Sequence, residues 1–166
     1  DRSKQCHALF LLGSFFNHSC IPNVYWSERA AQGEVVWHAL RDVEAGEALT
    51  ITYSQAALSM PSNRRQELLT SWRFTCKCTA CSLTGDVMQA SDDRRILLNL
   101  KLQQLSSGHV FPLAHRDDVQ ATRRAIEADP LQGITIVREI CNLLDEELSG
   151  HAPTKSWACL EGFALA

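Results

Sequence analysis

Cys76, Cys78 and Cys81 stand in the spacing C-x-C-x-x-C. They can hold three corners of a tetrahedral zinc site, in which each thiolate lies about 2.3 Å from the metal. The fourth ligand must come from elsewhere. Cys20 is the candidate, within Asn17-His18-Ser19-Cys20-Ile21-Pro22-Asn23, a polar stretch that Pro22 and Asn23 mark as a loop. Such a site clips a distant upstream loop onto the later segment and encloses a pocket between them. His18 can serve as a ligand instead, or be a satisfied loop histidine, but the neighbouring thiolate is the better zinc donor.

The chain has seven cysteines in all. Cys6, Cys141 and Cys159 lie in apolar, helix-like contexts, where a free thiol behaves as a small hydrophobe. This pattern fits a reducing, intracellular compartment, nuclear or cytoplasmic, better than a secreted disulfide framework. Of 166 residues, 45% are apolar and 21% charged, the balance of an ordinary folded protein. A net charge of −3 gives no electrostatic footprint for nucleic acid or for an anionic membrane. The apolar run at 8–16 has the length of a signal-peptide core, but no small-x-small cleavage site follows, and it is too short to span a bilayer. It reads as part of a buried helix over 4–16, with Leu9, Leu12 and Phe16 on one face. A start at Asp1 and an apolar end suggest a piece of a longer protein.

Three β-branched or aromatic stretches follow, at 24–26, 35–40 and 49–53, separated by turn signals at Gly33 and Gly46. They predict a small antiparallel β-unit. Pro61 at a first helical position opens a short helix that leads into the cysteine knuckle. Beyond Gly85 the pattern becomes helical, with segments predicted at 92–106, 116–128, 134–148 and 153–165, stacked as antiparallel hairpins. Trp26, Trp37 and Trp157 read as core aromatics, and Glu44 and Glu47 as a solvated turn.

The motif Asn17-His18-Ser19-Cys20-Ile21-Pro22-Asn23, the run Val43-Glu44-Ala45-Gly46-Glu47-Ala48-Leu49-Thr50-Ile51-Thr52-Tyr53, and the knuckle preceded by Trp72-Arg73-Phe74 together resemble the C-terminal half of a SET domain. The likeness is strongest to the SET-and-MYND branch and its fungal relatives. It covers roughly residues 8–83. It implies an α+β fold: a partial SET fold of short antiparallel strands, β-clip-like, a zinc-binding post-SET segment, and an α-helical hairpin region after it. The corresponding divisions are 1–55, the C-terminal part of the SET domain; 56–85, the post-SET helix and knuckle; and 86–166, the helical region.

The resemblance also implies an activity, S-adenosylmethionine-dependent protein-lysine methylation, with one structural zinc ion. Asn17 and His18 match the pair that contacts adenosine, and Phe74 an aromatic residue that packs on adenine. Trp72 sits where a lysine-channel aromatic is found, and Tyr53 matches the tyrosine beside the transferring methyl. Cys20, Cys76, Cys78 and Cys81 match the zinc ligands. The partner implied is a protein carrying the target lysine, histone or not, with no nucleic-acid or membrane partner. A phenol ionises only at about pH 10, so Tyr53 is expected to orient the amine rather than to act as its base. SET domains also carry a Gly-x-Gly turn in their N-terminal half, and these 166 residues contain none. The isolated chain is therefore expected to bind the cofactor weakly and to be inactive by itself. The competing expectation is an inactive, zinc-stabilised interaction module derived from such an enzyme.

Overall fold

The computed structural model describes residues 9–105, 124–126, 128–148 and 151–165. Cys6, most of the predicted 116–128 helix and the first residues of the 4–16 segment lie outside them. The architecture is mixed α+β. Two small sheets come first, a short helix and the cysteine knuckle next, and a packed group of long helices last.

The hairpin follows the expected physics. Strands β2 (Val24–Arg29) and β3 (Glu34–Ala39) pair antiparallel, with Trp26 opposite Trp37. Gly33, at φ +66°, supplies the left-handed turn between them. Trp26 is more than a third exposed, because no described element covers that side of the hairpin. The third stretch pairs differently from the prediction. Strand β4 (Thr50–Ile51) lies parallel to β1 (Asn17–His18), not antiparallel to β3. This pairing carries the Asn17-His18 motif to the strand that ends beside Tyr53.

The buried helix expected over 4–16 is not formed in its described part. Residues 9–16 make a turn and a single 3₁₀ turn at Gly13–Phe15, and Leu9, Leu11, Leu12 and Phe15 are all exposed. Close packing sets this path. A Cβ on Gly13 would lie 2.6 Å from the Trp37 ring, and Phe16 packs on the same ring at 4.4 Å. The segment is held against β3 by these two contacts and turns extended at Phe16 to enter β1.

Helix α1 (Ser62–Leu69) begins one residue after Pro61, which serves as its N-cap. Its free amino end is satisfied from outside: the Asp92 carboxylate accepts from the Ser62 backbone N–H at 2.7 Å and from the Ser62 hydroxyl at 2.6 Å. Asp92 belongs to helix α2 (Gly85–Leu105), which starts two turns before the predicted position because Val87, Met88, Gln89 and Ala90 extend it upstream. Helix α3 (Pro130–Leu148) packs on α2, and helix α4 (Ala152–Leu165) on both. Leu98 and Leu102 of α2 meet Ile140 and Leu144 of α3 in the main apolar core, which also holds Leu58 from the segment before α1. Ile21 of the Cys20 loop packs against this core and against a second, smaller one made by Cys20, Leu69, Cys76 and Ala80. The helices and the cysteine region are thus one packed body.

His151 joins the helices to the hairpin. It is 2% exposed, contacts Thr154 Oγ1 at 2.8 Å and meets the Tyr25 ring of β2 edge-on at 6.3 Å. Burial pushes its imidazole down to about 4 from an ordinary 6.5. Between those values the unfolded chain binds the proton and the folded one does not. Stability is therefore full above about pH 6.5 and falls as pH drops towards 4, by about 3 kcal/mol from this residue. Urea unfolding at pH 7.5 and 4.5 measures the loss, and His151→Gln is expected to shrink the difference. An equal difference in that variant would assign the loss to other groups.

Candidate functional site

Four sulfurs converge where the loop after β1 meets the knuckle. The Cys20, Cys76, Cys78 and Cys81 ligand atoms all lie within 4.8 Å of one another. Cys20 Sγ is 4.0 Å from Cys76 Sγ and 3.6 Å from Cys81 Sγ. A zinc ion with sulfurs at about 2.3 Å in tetrahedral array separates them by roughly 3.8 Å, so the donor set fits that metal. The six described cysteines are all free thiols. Hydrogen bonds from Cys20 and Cys81 hold the Cys78 thiol far below the usual range, and the same sharing pushes Cys20 up. Such a crowd of sulfurs cannot all ionise without a cation among them, since like charges close together oppose ionisation.

Local structure aims these atoms. The knuckle closes through a 3₁₀ turn at Thr79–Cys81, with the Cys81 and Ser82 N–H groups donating to the Cys78 carbonyl. Gln66 of α1 brackets Cys76 from both sides: its Oε1 accepts from the Cys76 N–H at 3.1 Å, and its Nε2 donates to the Cys76 carbonyl at 2.9 Å. On the other flank the buried Asn23 staples the loop to the strand that follows. Its Oδ1 accepts from the Thr50 N–H at 2.7 Å, and its Nδ2 donates to the Ala48 carbonyl and to Glu47 at 3.0 Å. The Arg41 guanidinium beside Glu47, with the Glu44 N–H and Asn23, holds the Glu47 carboxyl down to about 2. Sequence reading placed Glu47 in a solvated turn and gave Asn23 no task. Their only signal was membership of the two motif runs.

His18 links the sulfurs to Tyr53. Its Nδ1 accepts from the Tyr53 backbone N–H at 3.0 Å, which leaves the ring proton on Nε2, 3.3 Å from Cys20 Sγ. A protonated nitrogen has no lone pair for a metal, so His18 stands beside the cluster rather than in it. Burial holds the imidazole below its ordinary range. With both nitrogens engaged, His18 offers the adjoining cavity its ring face and its backbone.

That cavity, of about 690 Å³, is lined by Asn17, His18, Tyr53, Trp72, Phe74 and the first part of the knuckle. All five residues predicted from the resemblance for cofactor, channel and catalysis therefore meet in one place. Tyr53 is at its centre: its ring lies 5.3 Å from His18, 5.9 Å from Trp72 and 6.1 Å from Phe74. Its hydroxyl donates to the Phe16 carbonyl at 3.0 Å. Between Trp72 and Phe74 the chain reverses through Arg73 in the left-handed region, φ 58°. This lets both neighbouring rings face the same tyrosine, at the modest cost of a non-glycine residue there. A second cavity, of about 500 Å³, is lined by Gly13, Phe16, Trp26 and Gln55 among others. Tyr53 and Trp72 are the two residues that line both.

Residues 2–54 match the SET domain family model. The chain is 40% identical over 88 residues to histone-lysine N-methyltransferase set5 of Schizosaccharomyces pombe, covering 52% of this chain and 27% of that protein. To a SET and MYND domain-containing protein of Dictyostelium discoideum it is 40% identical over 80 residues, 48% of this chain and 15% of the other. A longer match, 31% identical over 121 residues, joins it to histone-lysine N-methyltransferase SET5 of Scheffersomyces stipitis, covering 72% of this chain and 22% of that protein. The chain thus spans about a quarter or less of the length of these relatives. No solved structure gives a significant match.

Proposed function

We propose that this chain forms part of an S-adenosylmethionine-dependent protein-lysine N-methyltransferase, with the four sulfurs holding a structural zinc ion. The observation that carries the reading is that Tyr53 and Trp72 line both cavities. Methyl transfer needs donor and amine aligned on one axis, and a wall shared by two cavities suits that need. The larger cavity lies in the size range of small-molecule sites and presents the Phe74 ring and the exposed Asn17, which suit a nucleoside. Asn17, His18 and Phe74 would hold S-adenosylmethionine there, and it would supply a sulfonium methyl for displacement by an amine, the S–C electron pair staying with sulfur.

The residues of this chain do the positioning. The Trp72 and Tyr53 rings form walls along which a lysine stem can pack, excluding water. An amine with pKa near about 10.4 must lose its proton before it reacts, and an apolar channel favours the neutral form. Holding the nitrogen on the methyl–sulfur axis can supply about 7–11 kcal/mol of the barrier. The Tyr53 hydroxyl, fixed on the Phe16 carbonyl, is placed to orient that nitrogen. The cysteine centre holds Phe74 and Trp72 in place and makes no bond in the reaction. In this reading residues 1–55 contribute SET-domain sequence, 56–85 the post-SET helix and knuckle, and 86–166 the helical region. The substrate is a protein, the relatives named for histone lysines making histones the first to try, and the compartment is nuclear or cytoplasmic.

The test is transfer of a labelled methyl group from S-adenosylmethionine to core histones by the longest expressed form of the protein. Label recovered on lysine supports the reading. Absence of transfer from zinc-loaded, cofactor-bound protein across histone and non-histone substrates would favour the inactive interaction module.

A further inference from the structure

Helix α2 buries two faces. Leu98, Leu102 and Leu105 enter the apolar core, whereas Asp92, Arg95, Asn99 and Gln103 form a polar row that is equally buried. Arg95, 0% exposed, is the centre of that row. Its Nε donates to Glu147 Oε1 of α3 at 2.8 Å. Its Nη1 donates to the Leu58 carbonyl at 2.9 Å and the Ala57 carbonyl at 3.3 Å. Both terminal nitrogens also reach the carbonyl of Cys20, at 3.4 and 3.5 Å. Glu147 is fixed in turn by Arg94 at 2.9 Å and by the Ser91 hydroxyl.

We infer that Arg95, held by Glu147, is a positioning residue for the four-cysteine centre: the C-terminal helices brace the Cys20 loop from behind through this guanidinium. This rests on the zinc reading above. Arg95 reaches Cys20 through its backbone carbonyl rather than its sulfur. What it fixes is the backbone from which the Cys20 thiol and, two residues earlier, the His18 ring project. A planar guanidinium can serve the Glu147 carboxylate and three carbonyls together, which the point charge of lysine cannot. Ile21 packs into the helical core one residue later and gives the loop a second, apolar anchor.

Zinc-loaded protein at a temperature well below its melting point is challenged with a chelator, and the rate of zinc loss is read. Arg95→Lys, which keeps the charge facing Glu147, is expected to release zinc about tenfold faster or more, as outer-shell changes at metal sites commonly do. The double variant Arg95→Met with Glu147→Leu removes both charges, so neither is left buried alone, and is expected to remain folded, with some loss of stability from the freed carbonyls, yet show the same fast release. In the active protein these variants should raise KM for the cofactor with kcat nearly unchanged. Ile140→Ala lowers stability through the core without touching Arg95, and its release rate should match wild type. Folded Arg95 variants that release zinc at the wild-type rate, or an Ile140→Ala variant that releases it as fast as they do, would overturn the inference. A wild-type protein that takes up no zinc would instead overturn the zinc reading on which it rests.

Discussion

Replacing Cys78 with serine is expected to strip the protein of its zinc: about one ion per chain in wild type by elemental analysis, and none in the variant. The expectation follows from the sulfur geometry. Cys20 lies 3.6 to 4.0 Å from Cys81 and Cys76, close to the edge of a zinc-sulfur tetrahedron, and Cys78 completes the set. Metal binding at such sites is folding free energy, of order 10–16 kcal/mol for structural zinc at neutral pH. The loss should therefore appear as disorder of 76–81 in hydrogen exchange, spreading to the Cys20 loop. Because thiols must deprotonate to bind, zinc should also leave as pH falls. Stoichiometric zinc in the Cys78→Ser protein would mean that the ligands have been wrongly chosen.

What could be read from the sequence was what local spacing determines. Cys76, Cys78 and Cys81 announce a metal knuckle by their intervals alone, and the loop signals around Pro22 made Cys20 the natural fourth thiol. The apolar faces of α2 and α3 follow from helical periodicity, and Leu98, Ile140, Leu144 and Leu148 are indeed buried. Non-local pairing was hidden. Nothing near 49–53 says that its partner is Asn17-His18 rather than the adjacent hairpin, a choice made by Asn23 reaching across to Thr50. The 9–16 run illustrates the opposite error: apolar residues at helical spacing predict burial only if something covers them, and a glycine pressed on Trp37 fixes a different path. Hardest to foresee was the second buried face of α2. A row of Asp92, Arg95 and Asn99 has the pattern of a solvated face, and only the neighbouring carbonyls and Glu147 turn it into an interior.

Tyr53→Phe is expected to slow methyl transfer by about a hundredfold or more while leaving cofactor affinity nearly intact, the measure of a group that aligns rather than binds. The variant keeps the ring and hence the contacts to His18, Trp72 and Phe74 around the larger cavity. The hydroxyl alone is lost, together with its hydrogen bond to the Phe16 carbonyl. One such bond contributes about 1 kcal/mol to stability, too little to unfold the protein. A fall in rate with unchanged melting and unchanged cofactor titration therefore isolates the positioning role. The Tyr53 backbone N–H still donates to His18 in the variant, so the tie between the aromatic junction and the sulfur centre survives. If phenylalanine supports the wild-type rate, the ring is only a wall. The amine must then be aligned by other groups, with Trp72, which lines both cavities, the first to replace.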